Sequence, residues 1–542
     1  MNRFFRMLSN TRLRPGVRWQ TKCDTAFDAV ASSEPASSPA VSTFYRQWRC
    51  HRFNASTFQR FNAISKRIIA CLMAAALTGC TMIPKYQQPP ANVSSTWPNV
   101  PGYAKTKTAP ATVPAAEIGW RDFFRDPKLQ QVITLALTNN PNLRAAIATV
   151  VQNQQLYHVQ LGNLVPTGKI DASAQRTRVP NFFGPSAKPV TYTEYQVNLG
   201  MSQYELDLFG RIRSLTRQAL ETYFASAEAR RAAQIALVAQ VANAYLTEQG
   251  AAQQLAIARE TLNASRQSFN LTKRSFEAGV VSQFDLNTAS IQLSAASSSV
   301  ATYAQQLAEA SDNLTLLVGK PLPPELKPSP RMNLKLCLSD IPSGLPSDLL
   351  EQRPDILEAE HTLKAANANI GAARAAFFPT ITLTGNAGFA SSSLENLFSA
   401  GSSAWLIQPQ LEWSVFDLGQ AYHALQADKA AREALVANYQ GTIQTAFKEV
   451  ADALAVRQTV QSQLADNQEL VNSDQQTFNL TKAGFQGGVN SSLDVLVTQQ
   501  TLNNARESLI QTQYSRLISL INLYQALGGG WNEFTPQAQA GR

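Results

Sequence analysis

Residues 268–293 read SFNLTKRSFEAGVVSQFDLNTASIQL, and 209 positions further on residues 477–502 read TFNLTKAGFQGGVNSSLDVLVTQQTL. Eleven of the 26 positions are identical, among them Phe269/Phe478, Lys273/Lys482, Phe276/Phe485, Gly279/Gly488, Val280/Val489 and Asp285/Asp494. A period this long lies far outside the roughly 20–50 residues of solenoid repeats and marks one ancestral half duplicated and fused. The same offset pairs Tyr204 with Trp413 and Gly210 with Gly419. Upstream the offset is 213, aligning Asn140-Pro141-Asn142-Leu143 with Arg353-Pro354-Asp355-Ile356 and Pro166 with Pro379. The slip falls between Pro166 and Tyr204, so one copy carries a longer loop there. Two similar halves in one chain imply a pseudo-symmetric assembly.

The formal charge of +9 is confined to the start of the chain. The first 79 residues hold 12 Lys/Arg against three Asp/Glu, and the remainder carries 35 of each sign. A nucleic-acid partner therefore loses its support. The basic segment ends in Lys66-Arg67, then the apolar run IIACLMAAAL, then Leu77-Thr78-Gly79-Cys80. A positive patch, a short apolar stretch and small residues form a secretory signal. Leu-x-Gly-Cys resembles the lipobox of bacterial lipoproteins, in which the cysteine is acylated, so Cys80 is the expected lipid attachment point. The 65 residues before Lys66 exceed what a signal needs, which points to an upstream start or a discarded tail. Cleavage leaves Cys80 and Cys337, too few for a disulfide framework once Cys80 carries lipid. No apolar run approaches the ~18–20 residues of a membrane-spanning helix.

Residues 80–120 read as an extended Pro/Thr/Ala/Lys-rich strap. Residues 211–275 and 420–483 contain no proline and one glycine each, so each predicts a near-continuous helix of about 100 Å at ~1.5 Å per residue. Leu435, Tyr439, Ile443, Phe447, Val450 and Leu454 form a narrow apolar seam suited to coiled-coil packing rather than a thick core. Shorter helices are predicted over 128–163, 282–318, 345–376 and 491–527. Stacked in pairs beside the long ones, they give a tube of uniform height.

Four segments alternate with period two. Tyr195, Val197, Leu199 and Met201 share one face, as do Ile381, Leu383, Ala387 and Phe389, then Trp405, Ile407, Pro409, Leu411 and Trp413, and more weakly Ile170, Ala172 and Ala174. Their length and aromatic ends suit tilted membrane strands. Four strands close no membrane barrel, and open edges are not tolerated in lipid, so copies of the chain must pool strands.

The chain from Cys80 onward resembles the TolC-like outer membrane factors, specifically the NodT-type lipoproteins of resistance-nodulation-division efflux systems. The resemblance rests on Arg353-Pro354-Asp355-Ile356, Ala376-Phe377-Phe378-Pro379 before the third strand and Asp207-Leu208-Phe209-Gly210-Arg211 after the second. The paired Phe-x-x-Gly-Val turns and Leu527-Gly-Gly-Gly530-Trp531 complete it. It implies a mainly α fold with a membrane β-barrel, internally duplicated. It further implies a long α-helical barrel hanging into the periplasm, with four strands per chain forming part of a shared 12-stranded barrel. The halves are placed at 121–344 and 345–531, with a tail at 532–542. The implied function is the passive exit duct of a tripartite efflux pump. The implied partners are a homotrimer, a periplasmic membrane-fusion adaptor, an inner-membrane efflux transporter and outer membrane lipid.

The resemblance also implies roles for residues. Adaptor docking falls on two helix-turn-helix tips, Phe276, Gly279, Val280 and Ser282 in the first half and Phe485, Gly488, Val489 and Ser491 in the second. The periplasmic gate falls on the helix after the second tip. The family commonly combines a leucine ring with an Asp and an Arg there. This chain offers Leu493, Val497 and Gln500, so a salt-bridged lock is in doubt and Asp494 or Asp285 is the candidate acidic ring.

Nothing resembles an active site, a cofactor loop or a zinc site. After cleavage the histidines are the isolated His158, His361 and His423. Three readings stand: an efflux channel, the channel of a type I protein secretion system, and a non-channel coiled-coil scaffold lipoprotein.

Overall fold

The computed structural model describes residues 81–94, 96–98, 100–101, 114–180, 189–338, 341 and 349–536. The leader and Cys80 lie outside the described residues. Helices α1 (Pro127–Asn139) and α2 (Pro141–Gly162) precede strands β1 (Gly168–Val179) and β2 (Val190–Glu205). Then come α3 (Arg211–Glu277) and α4 (Gln283–Val318). The second half repeats this with α5 (Pro354–Ala375), β3 (Thr380–Ser391), β4 (Ser403–Glu412), α6 (Gln420–Gln486) and α7 (Ser492–Ala526).

Both long helices run 67 residues, about 100 Å at ~1.5 Å per residue. Each starts at a left-handed glycine, Gly210 or Gly419. The helix predicted over 128–163 is two helices, and the one predicted over 345–376 is a single turn (Leu349–Gln352) followed by α5. Proline is the cause. Asn140 and Arg353 precede proline and adopt extended ψ values of 124° and 120°, because a following ring disfavours the helical region. Pro141 and Pro354 then occupy the first helical position, where no amide hydrogen is needed.

Those breaks become joints. Asn140 Nδ2 donates to the Leu317 carbonyl at 2.8 Å, and Arg353 Nη1 donates to the Ala526 carbonyl at 2.9 Å. Leu317 and Ala526 are equivalent under the duplication. A short helix thus stacks on the end of another in each half, α2 on α4 and α5 on α7, alongside a long helix. The fit is close: a Cβ on left-handed Gly319 would stand 2.8 Å from the Asn139 carbonyl, and one on Gly528 would stand 2.9 Å from that of Gln352.

The four strands form one antiparallel sheet in the order β1-β2-β3-β4. Register aligns Ile170, Leu199, Ala387 and Trp405 in one row, so the predicted apolar faces coincide. Thr382, Thr384, Asn386, Gln408 and Gln410 lie on the other face. Among the described residues β1 and β4 have no partner on their outer edges. Pro409 sits opposite Leu383 in β4. The bond from Ala390 N to Ser402 O sets the phase of this ladder, which makes 383/409 a non-hydrogen-bonded pair. The Pro409 nitrogen therefore faces the free edge, where its missing hydrogen costs the internal ladder nothing.

The expectation of seam packing without a thick core is corrected partway along the helices. Phe123, Phe124, Tyr245, Leu314, Leu336 and Tyr524 are almost fully buried there. Phe123 stacks on Tyr524 at 4.0 Å, and the Tyr524 hydroxyl donates to the Ile118 carbonyl at 2.6 Å. The long helices supply part of this core, and segments outside them thicken it: the stretch before α1, α1 itself, the run after α4, and the chain after α7. Beyond that end Trp531 lies 5.1 Å from both Arg230 and Arg231.

The strap has a defined course. Arg374 Nη1 donates to the Met82 carbonyl at 3.4 Å and Asn367 Nδ2 to that of Pro84 at 2.8 Å. The Tyr86 hydroxyl meets Glu360 at 3.2 Å, Gln88 donates to the Tyr439 hydroxyl at 3.0 Å, and Val100 N donates to Gln458 at 2.9 Å. The strap thus descends α5 from its sheet-proximal end and continues along α6. Among the described residues no helix is long and apolar enough to cross a membrane.

Candidate functional site

At the end of the long helices farthest from the sheet, two turns reverse the chain with the same hydrogen bonds. Gly279 N donates to Phe276 O at 2.9 Å and Val280 N to Ser275 O at 2.8 Å. Their counterparts run from Gly488 N to Phe485 O at 3.1 Å and from Val489 N to Gly484 O at 2.8 Å. The longer-span bond in each pair is that of a helix ended by a left-handed residue. Gly279 has φ 72° and Gly488 φ 77°, a region that penalises any Cβ.

Ser282 and Ser491 then start α4 and α7 through reciprocal caps. Asp285 N donates to Ser282 Oγ at 3.2 Å while Ser282 N donates to the Asp285 carboxylate at 2.9 Å. The second copy repeats this at 3.1 and 2.8 Å. The serine hydroxyl and then the serine amide hold the Asp285 and Asp494 carboxyls below their usual range. The candidate acidic ring is therefore engaged in capping, because a carboxylate three residues after the cap reaches back to it.

The expected tip residues divide into two groups. Phe276 and Phe485 are half-buried within the turns, and with the glycines and serines they build them. Val280 and Val489 are 75% and 83% exposed. Phe284, which the sequence reading passed over, is 69% exposed; the offset of 209 maps it onto Leu493, and that arithmetic was the signal available. Leu493 and Val497 are exposed on one face of α7, while Leu496 is buried on another. Gln500 stands at the margin of a cleft of about 180 Å3 between α3, α4 and α7. Farther from the tips, the Tyr303 hydroxyl on α4 bridges to Glu507 on α7 at 2.9 Å.

Above the tips the halves are joined by a part-buried hydrogen bond. Glu221 on α3 is 2% exposed, with His361 Nδ1 of α5 at 2.6 Å and Arg217 Nη2 at 2.6 Å. Burial pushes its carboxyl up, but the His361 hydrogen bond and the Arg217 charge outweigh that and hold it below the usual range. Cys337 is buried and unpaired, and burial pushes its thiol up to about 12. Among the described residues no group of three or more His, Cys, Asp or Glu is placed to hold a metal ion.

Known proteins place this architecture. The family described as outer membrane efflux protein matches residues 132–320 and 345–529, one block per half. The chain is 45% identical over 462 residues to the probable efflux pump outer membrane protein TtgC of Pseudomonas putida, covering 85% of this chain and 95% of that one. It is 39% identical over 467 residues to the outer membrane protein OprJ of Pseudomonas aeruginosa, covering 86% and 96%. The open state of the Neisseria gonorrhoeae MtrE outer membrane channel superposes with a TM-score of 0.75 at 33% identity, covering 84% of this chain and all of that one. Of the three readings, the efflux channel is the one that stands: the chain belongs to the outer membrane efflux protein family.

Proposed function

We propose that three copies of this chain form the exit duct of a tripartite efflux pump. Their sheets close a 12-stranded barrel, and their helices form a tube below it whose tips meet a periplasmic adaptor and, beneath it, an inner-membrane transporter. The observation that carries this is the four-stranded sheet, apolar on one face and polar on the other, with both outer edges free. Such a sheet is stable in lipid only when closed on further copies. The chain conducts passively, and selection of substrate rests with the transporter.

The gate proposed here is a ring of Leu493 and Val497 that closes by packing and dewetting. Gln500 lies one turn further on, and the capped Asp494 contributes structure rather than closure. Leu493→Ser should raise single-channel conductance in planar bilayers, with closure depending weakly on salt because no ion pair is screened. If Asp494→Ala opens the channel and Leu493→Ser leaves it shut, an acidic ring holds the aperture instead.

Lipid attachment at Cys80 is proposed on the strap's course. Met82 is held at Arg374, a few residues before β3 begins. The described strap therefore reaches the membrane end of α5 at Met82, two residues after Cys80 in the sequence. Cys80→Ser should leave unacylated, soluble or unprocessed protein. Mass spectrometry finding an intact, unmodified peptide across Gly79–Cys80 in mature wild-type protein rules the anchor out.

A further inference from the structure

We propose that the membrane-facing side of β1 and β2 carries a binding site for the phosphate groups of an anionic glycolipid in the outer leaflet, built from Arg176, Arg178, Thr191 and Thr193. The proposal rests on the channel reading for the orientation of the sheet. Register is the first observation. Ile170, Ala172 and Ala174 face the same side as Leu199, Val197 and Tyr195, and side chains of a strand alternate strictly. Two further steps along that face bring Arg176 opposite Thr193 and Arg178 opposite Thr191. The arginines thus stand on the apolar face, about 7 Å apart at ~3.4 Å per residue.

Charge is the second observation. Both arginines are exposed, and no ion pair among the described residues includes either. The nearby acids take the opposite face: Asp171 pairs with Asn198 and Glu194 with Gln175 in the register, and Glu194 accepts from Gln196. Two guanidinium groups and two hydroxyls therefore form a patch of donors with no acid on it. Arginine's planar fork matches phosphate oxygens.

Depth is the third. The apolar positions of β2 run from Tyr204 through Met201, Leu199 and Val197 to Tyr195, about ten residues, which spans a band of ~25 Å once tilted. Arg176 lies one outward position beyond that aromatic limit, where headgroups begin and an arginine on the lipid face is tolerated. On the β3–β4 side of the same end Phe389 and Phe398 meet edge to face at 5.4 Å, and Phe398 is 70% exposed. Acyl chains have an apolar wall there while phosphates reach the arginines.

The test titrates full-length trimer in detergent with bis-phosphorylated lipid A and with its dephosphorylated form, read by native mass spectrometry. Wild type should prefer the phosphorylated lipid by about tenfold or more, as charge-assisted hydrogen bonds allow. The double variant Arg176→Gln/Arg178→Gln should lose that preference and keep its trimer mass and its conductance in phosphatidylcholine bilayers. A wild type indifferent to the phosphates, or a variant that keeps the preference, overturns the site. Loss of the trimer in the variant also overturns it, assigning the arginines to the seam between copies. Wild type that conducts nothing in phosphatidylcholine counts against the channel reading, on a readout separate from lipid binding.

Discussion

Replacing Arg353 with alanine should lower the stability of the folded chain by about 2–3 kcal/mol, the largest loss expected from a single side chain outside the core. Arg353 is 7% exposed. Its guanidinium donates to Asp355 at 3.0 and 2.6 Å, to Glu449 on α6 at 2.8 Å and to the Ala526 carbonyl at the end of α7 at 2.9 Å. Burial pushes its pKa down, but Asp355 and then Glu449 more than offset this, so the guanidinium stays charged. One side chain thereby ties α5, α6 and α7 together at the joint where two short helices meet. Breaking a fully buried pair costs ~3–5 kcal/mol. The acids here are 34% and 48% exposed, so water compensates part of the loss. Arg353→Asn should recover about 1 kcal/mol, because Asn140 satisfies the equivalent carbonyl in the first half with an amide alone. The check is the thermal midpoint of each variant in detergent, read as a shift because so large an assembly does not unfold in two states. An alanine variant that melts with the wild type, or an asparagine variant no better than alanine, removes the joint from the account.

The second large effect is functional. Gly488→Val should insert and assemble normally yet fail to restore efflux to a strain lacking the channel. At φ 77° a β-branched residue is strained by more than ~1 kcal/mol, and the strain falls on three copies of the tip at once. Beyond its two chain neighbours no atom lies within 4 Å of where the new Cβ would sit, so the expected loss comes from the backbone conformation. That separates the turn from the core: the distant sheet and joints are untouched. Gly488→Asn should pump nearly as well as wild type, since asparagine tolerates the left-handed region. The measurement is drug susceptibility alongside trimer yield in membranes. A valine variant that pumps normally would show that the turn's geometry plays no part in docking.

Some of this was legible in the sequence because it was local. Period-two alternation picked out Tyr195–Met201 and Trp405–Leu411, since facing is decided within a few residues of one strand. The absence of proline marked the two long helices. The duplication placed both tips, and the glycines it flagged are left-handed. The two proline breaks at Asn140-Pro141 and Arg353-Pro354 fall inside segments whose periodicity predicts continuous helix. Their pairing alone does not show that a carbonyl at residue 317 or 526 awaits each side chain. Asp494 is a similar case: it looks free as a residue type, and its bond to Ser491 appears only once the cap is formed.

By itself the sequence determined the duplication, the four amphipathic strands, the long helices and the glycine turns, all set by backbone preference and side-chain periodicity over short spans. Only the tertiary structure decided where the strap runs, how Arg353 and Asn140 weld stacked helices, that Pro409 turns its nitrogen to the open edge, and that Thr193 and Thr191 stand opposite Arg176 and Arg178. Those facts depend on contacts or register between segments far apart in the chain. Hydrogen bonds and packing between such segments carry no periodic trace in either partner.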